Sequence, residues 1–163
     1  MFTIVKTFHF DAGHRIWSHD LLRGKGAALV PDNIQDVANV RTKCANPHGH
    51  TFYVEVHLES ECIDEQGMII DTDALKFAIK EIEQLLDHAY ILHKDDPIKE
   101  DFINLFRGYK VVIIDIMPTA EGLAQYIYML LKEKLKKILL NGINLKCVVV
   151  KLSNSIIGMY QEG

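Results

Sequence analysis

Residues 51–58 read TFYVEVHL, and this run of β-branched and aromatic residues with alternating polarity predicts a β-strand. Residues 3–10 read TIVKTFHF and predict a second strand on the same grounds. Two amphipathic helices are predicted further along the chain, one beginning near Thr72 and one near Pro118. Strands and helices in this arrangement favour an antiparallel sheet covered by helices on one face, which is an α+β fold.

The two predicted helices carry start signals that agree with their apolar spacing. Either Asp71 or Thr72 can cap the first helix, and Thr119 can cap the second, where Glu121 favours the positive end of the helix dipole. Residues 109–116 predict a further strand, and residues 145–160 predict a closing hairpin. The first helix places four apolar residues at helical spacing: Leu75, Ile79, Ile82 and Leu86.

Composition and charge limit the classes of protein to which this chain can belong. Its 163 residues are 48% hydrophobic and 25% charged, which favours a single domain, residues 1–163, with a buried core. A formal net charge of −4 argues against a nucleic-acid partner. The sequence shows no signal peptide and no run of about 18 apolar residues that would cross a membrane, so we expect a cytoplasmic protein.

The strongest chemical signal is His48-Gly-His50, directly before the strand at residues 51–58. Residues two apart on a strand project to one face, so both imidazoles can reach one ion. His14, at the end of the first strand, supplies a third donor if the two strands pair. Three protein ligands with a fourth position open is the pattern of catalytic zinc. The alternative is that these are surface histidines, each with its own hydrogen bond.

Two further sets of residues suggest proton transfer. Cys44 precedes the histidine pair, and a thiol near a cation can serve as a base or nucleophile, although it could equally be a fourth zinc ligand. Asp87 and His88 follow the first long helix, and a carboxylate beside a histidine fixes its tautomer and raises its basicity. The alternative for His88 is a residue at a helix C-terminus, favoured there by the dipole.

Five motifs occur in a fixed order: FDAGH ending at His14, C-x3-H-G-H over residues 44–50, GMIID ending at Asp71, LDH ending at His88, and PTAE ending at Glu121. Together they resemble the 6-pyruvoyl-tetrahydropterin synthase and 6-carboxytetrahydropterin synthase family across nearly the whole chain. The resemblance implies the tunnelling fold, with a four-stranded antiparallel sheet and two long helices on one face. It also implies homo-oligomers, trimers or hexamers, whose active sites lie between subunits.

The resemblance also implies roles for residues that match the family's motifs. His14, His48 and His50 look like its Zn²⁺ ligands, Cys44 like its catalytic thiol, and the Asp87–His88 pair like its proton relay. The family acts on 7,8-dihydroneopterin triphosphate, a small-molecule pterin substrate, and eliminates triphosphate. The close C-x3-H-G-H spacing resembles the enzymes that form 6-carboxy-5,6,7,8-tetrahydropterin for deazaguanine (queuosine-type) synthesis.

One position departs from the family's pattern. Members carry a glutamate on a core strand that grips the pterin, and counting back from Tyr160 places Leu152 there. Leucine cannot pair with two donors as a carboxylate does. Either another acid substitutes, with Glu121 beside Thr119 as the candidate, or the ligand differs. Residues 18–43 also form a longer predicted loop than in compact members, which can alter the mouth of the pocket.

Three alternatives to the carboxy-type activity therefore stay open. They are 6-pyruvoyl-tetrahydropterin synthase activity, a related enzyme with a different ligand, and a non-catalytic binder that keeps zinc. Retention of Cys44 together with Asp87 and His88 argues against the last, because a scaffold needs none of the three. A zinc hydrolase is disfavoured because no glutamate stands beside the histidines as in H-E-x-x-H.

Overall fold

The computed structural model describes residues 1–17, 43–136, 139 and 142–163. The predicted loop at residues 18–43 lies outside these residues, apart from Lys43. The helices are α1 (Thr72–Leu86), α2 (Lys99–Leu105) and α3 (Ala120–Leu135). The strands are β1 (Phe2–His14), β2 (His48–Ser60), β3 (Ala89–His93), β4 (Val111–Ile114), β5 (Ile143–Lys151) and β6 (Ile157–Tyr160).

These six strands form one sheet in the order β4-β3-β1-β2-β5-β6. The predicted four-stranded antiparallel sheet is its larger part, because β1, β2, β5 and β6 pair antiparallel in turn. It differs from the prediction at one edge, where β3 joins β1 in parallel and β4 joins β3 in parallel. Parallel strands need a crossover connection, which runs through β2 and α1 for the β1–β3 pair and through α2 for the β3–β4 pair.

The hydrophobic core lies between one face of the sheet and the two long helices, α1 and α3. Inward-facing residues of β2 alternate with outward-facing ones, as the sequence pattern predicts. Each fully buried side chain of this size stabilises the fold by roughly 1.5–3 kcal/mol. The strand residues that are fully buried include Phe10, Phe52, Val54, Val56, Leu58, Val148 and Val150.

The predicted start signals of both long helices are confirmed. The side chain of Asp71 accepts a hydrogen bond from Asp73 N at 2.8 Å, and so caps α1. The hydroxyl oxygen of Thr119 accepts one from Gly122 N at 3.1 Å, and so caps α3. Among the described helices, none is both long enough and apolar enough to cross a membrane.

The opposite face of the sheet lies away from the two long helices α1 and α3, and several of its large side chains are exposed. Val5 of β1, Tyr53 of β2 and Met159 of β6 all lie on this face with about half of their surface exposed. Exposed apolar side chains grouped on one sheet face are typical of an interaction surface.

Candidate metal centre and active site

The pairing of β1 with β2 brings the three predicted histidines together. His14 lies opposite His48, and Ala12 lies opposite His50, so all three rings project to the helix-covered face. The ring centroids are 4.5 Å apart for His14 and His48, 5.2 Å for His14 and His50, and 5.0 Å for His48 and His50. One nitrogen from each ring lies within 4.8 Å of the other two, which is close enough for a single ion.

Backbone carbonyls fix the tautomers of two of these rings. Nδ1 of His14 lies 2.6 Å from the carbonyl oxygen of Pro118, and Nδ1 of His48 lies 2.7 Å from that of Asn46. A carbonyl oxygen can only accept, so each Nδ1 carries the proton and donates it. Each Nε2 is therefore left with a free lone pair, which is the arrangement found around metal-bound histidines.

Burial keeps His14 neutral. His14 is only 1% exposed, and this burial lowers its pKa to about 4. The hydrogen bond with Pro118 O opposes the shift, and the neighbouring His48 and His50 add to it. Burial, and then His48, also lower the pKa of His50. Neutral imidazoles are the form that binds a metal.

The lone pair of His14 Nε2 is buried and accepts no hydrogen bond from any residue that the structure describes. An unpaired buried polar atom costs about 1–3 kcal/mol, and a bound cation would remove that cost. Three imidazoles around one point fit a zinc ion with one open position. The donor set therefore fits the predicted metal.

Cys44 lies beside this group but does not belong to it. Its carbonyl oxygen accepts a hydrogen bond from Ile16 N at 2.7 Å, which holds the Cys44 segment against the chain just beyond His14. Within the described residues, the group of mutually close donors contains three histidines and no cysteine. The geometry thus does not support Cys44 as a fourth ligand, and it places the Cys44 backbone next to the chain just beyond His14.

The Asp87–His88 pair is held by the end of β1. Asp87 Oδ1 accepts from Asp11 N at 2.9 Å, and His88 N donates to Asp11 O at 2.7 Å. Asp87 Oδ2 lies 2.7 Å from His88 Nδ1, which fixes the tautomer of that ring. The backbone donor of Asp11, followed by His88, lowers the pKa of Asp87. Sequence reasoning did not assign Asp11 a role, although it stands inside the FDAGH motif.

His88 is exposed at a groove that also contains a metal-centre residue. Its ring is 78% exposed, and its backbone φ of 56° places it in the left-handed region. His88, His50, Asp11 and Thr51 line one open groove of about 530 Å³. His88 also follows the C-cap Asp87 of α1 in the left-handed conformation common at helix ends, so the helix-end alternative for His88 stays open.

The three predicted substrate residues are placed elsewhere. Thr119 caps α3, and Glu121 is exposed in the first turn of that helix. Leu152 is half-buried and packs against the core, and its N–H donates to Ile156 O at 3.0 Å in the turn between β5 and β6. None of the three is among the described residues that line the groove of His88.

Comparison with known sequences identifies relatives along most of the chain. The family model described as 6-pyruvoyl tetrahydropterin synthase matches residues 3–158. A 6-carboxy-5,6,7,8-tetrahydropterin synthase of Aquifex aeolicus is 35% identical over 137 residues, covering 82% of this chain and 81% of the relative. One of Rickettsia conorii is 30% identical over 128 residues, covering 78% of each.

Solved structures with low sequence identity share the fold. An uncharacterized protein of Wolinella succinogenes aligns with a TM-score of 0.78 at 23% identity, covering 99% of this chain and 98% of that one. The 6-pyruvoyl tetrahydropterin synthase of Caenorhabditis elegans aligns with a TM-score of 0.60 at 22% identity, covering 99% and 96%. The predicted α+β fold and the predicted enzyme class, the tetrahydropterin synthases, are confirmed. The chain belongs to the 6-pyruvoyl tetrahydropterin synthase family.

Proposed function

We propose that this protein is a zinc-dependent lyase that converts 7,8-dihydroneopterin triphosphate to 6-carboxy-5,6,7,8-tetrahydropterin with elimination of triphosphate. The observation that carries the proposal is the histidine triad, whose buried His14 Nε2 lacks a partner among the described residues. The names of the relatives from Aquifex aeolicus and Rickettsia conorii support the carboxy-type product. We place the reaction in deazaguanine (queuosine-type) synthesis.

In this proposal each group of candidate side chains has one task. His14, His48 and His50 would hold the zinc, which would supply Lewis-acid polarisation of the substrate's hydroxyl oxygens. The Cys44 thiol, beside the chain just beyond His14, takes a proton from the substrate side chain. His88 moves a second proton at the rim of the groove.

Asp87 holds His88 ready for that proton transfer. Its hydrogen bond to Nδ1 leaves Nε2 of His88 free to face the groove. The exposure of His88 in the single chain suits a residue that completes a site formed with another subunit.

The second candidate is a family member with an altered ligand, and the packing of Leu152 favours it. Leu152 presents no carboxylate, and its side chain contributes to the core instead. A 6-pyruvoyl-type product, a different pterin or purine-like ligand, and zinc-retaining binding without turnover all belong to this alternative. Glu121 stays the candidate substitute for the missing acid, since it is exposed in the first turn of α3.

We further propose a cytoplasmic homo-oligomer, a trimer or hexamer, built from one tetrahydropterin-synthase-like domain over residues 1–163. Its partners would be copies of itself and a small-molecule pterin, with neither nucleic acid nor membrane involved. The exposed apolar side chains on the face of the sheet away from α1 and α3, such as Val5 and Tyr53, support self-association through that face.

The test is to incubate the zinc-loaded protein with 7,8-dihydroneopterin triphosphate and to measure triphosphate release and product mass. We expect release by wild type, a loss of at least about 100-fold for Cys44→Ala, and no loss for the matched control Cys62→Ala. Cys62 is an exposed cysteine beyond the far end of β2. Zinc binding without release by wild type would move the assignment to the second candidate.

A further inference from the structure

A largely buried ion pair is formed by the residue that follows His14 in the chain. Arg15 Nε donates to Asp96 Oδ2 at 2.8 Å, and a second guanidinium nitrogen donates to Oδ1 at 3.1 Å. The Asp96 side chain is 0% exposed, and that of Arg15 is 14% exposed. Asp96 Oδ1 also accepts from Ile98 N at 3.0 Å. None of these groups takes part in the proposed reaction, yet Arg15 is the residue after His14.

Tyr90 of β3 contacts the same end of β1. Its hydroxyl donates to His14 O at 3.1 Å. Its ring lies so close to Gly13 that a β-carbon added there would be 2.5 Å from Tyr90 Cδ2. On its other side the ring packs against Phe102 of α2, with centroids 4.3 Å apart. Tyr90 therefore links the end of β1 to α2.

These contacts restrain His14 from several directions at once. Its ring is held by Pro118 O, its backbone carbonyl by Tyr90, and the residue after it by Asp96. A bidentate carboxylate–guanidinium pair fixes both position and orientation of the chain that carries it. β1 ends at His14, so these contacts add to its strand pairing with His48 and Ile91 and hold the last residue of the strand.

We propose that Arg15, Tyr90 and Asp96 form a brace that positions His14 for metal binding. The three are positioning residues, because they act through the backbone of His14 and not on the substrate. This inference rests on the proposed zinc centre. It adds that β3 and the turn before α2, which carry Tyr90 and Asp96, hold the buried ligand His14 in place.

The test measures zinc affinity in the full-length protein, stripped of metal and titrated with zinc against a chromogenic chelator. Asp96→Asn is expected to raise the zinc dissociation constant about 10–100-fold, and Tyr90→Phe about 10-fold, as is typical for outer residues of metal sites. The control is Leu135→Ala, a fully buried residue at the opposite end of α3 from Pro118. It should lower stability without changing zinc affinity.

Cobalt(II) absorption gives a second readout that does not depend on activity. We expect weaker or shifted ligand-field bands in both brace variants and wild-type bands in the Leu135→Ala control. Unchanged zinc affinity in folded Asp96→Asn and Tyr90→Phe would overturn the brace while leaving the metal centre intact. Absence of zinc binding by wild type would overturn the metal centre and the brace with it. If Asp96→Asn does not fold, Tyr90→Phe decides, because it removes one hydroxyl and keeps the ring.

Discussion

The metal-free protein should lose stability in mild acid because of His14. Its pKa is about 4 in the folded chain, against 6.5 in the absence of the fold. Above pH 6.5 the ring is neutral in both states and has no effect on the balance. Between pH 6.5 and pH 4 the unfolded chain takes up a proton that the folded chain does not, so the free energy of unfolding falls as the pH falls. Below about pH 4 both states carry the proton, and the loss from this ring levels off.

The size of this loss follows from the two pKa values. They differ by about 2.5, and each unit corresponds to about 1.4 kcal/mol, so the loss is roughly 3 kcal/mol. Native domains have total stabilities of about 5–15 kcal/mol, so one ring would account for a large share. The carboxylates of Glu55 and Asp87, whose pKa values are lowered, add further losses in stronger acid.

The assay is urea denaturation from pH 7.5 to pH 4 in the presence of a chelator, comparing wild type with His14→Gln. The glutamine amide does not titrate, so the variant should lack about 3 kcal/mol of the acid loss. Ile127→Val, a fully buried core change, should lower stability by about 1 kcal/mol at every pH. A difference between wild type and His14→Gln that stays constant across this range would refute the reasoning.

Three further predictions concern the elements around the site. Gly158→Ala should lower the free energy of unfolding, measured by urea denaturation, by about 3 kcal/mol, which is the upper end for overpacking. The reason is that the new β-carbon would lie 2.4 Å from the backbone carbonyl carbon of Ala120. A loss below about 1 kcal/mol would contradict this packing. Lys110→Met should lower the free energy of unfolding by about 0.5 kcal/mol, because the Lys110 amine donates to Asp87 O at the end of α1. Lys110→Arg should retain most of this stability, and equal losses in both variants would argue against capping of α1 by Lys110. Leu152→Glu should strengthen pterin binding in a fluorescence titration, because a carboxylate can pair with two donors of the pterin. Unchanged or weaker affinity would count against the assignment of the family's pterin-binding glutamate to position 152.

Much of the fold could be predicted because its signals are local. The alternation in residues 3–10 and 51–58 marks β1 and β2, although both strands extend several residues further in the structure. Asp71 and Thr119 mark the starts of the two long helices through side-chain capping that depends only on the next three residues. Such signals fix where an element begins but not what it pairs with.

At the parallel edge of the sheet, β4 lies within the strand predicted at residues 109–116, but β3 and α2 could not be predicted in the same way. β3 has five residues and begins directly after His88, and α2 has seven residues with none buried. Segments this short show no periodicity, and β3 is held by pairing with β1, about 77 residues away. Tertiary pairing, not local preference, makes this segment a strand.

For the site, the sequence by itself predicted which side chains would carry the chemistry: three histidines, one cysteine and an Asp–His pair. Only the tertiary structure decided how they are held. It set the β1–β2 register that places His14 opposite His48, and it brought the carbonyl of Pro118, 104 residues away, to the ring of His14. The reason is that ligand chemistry belongs to single residues, whereas tautomer, burial and orientation depend on contacts that form when distant segments pack together.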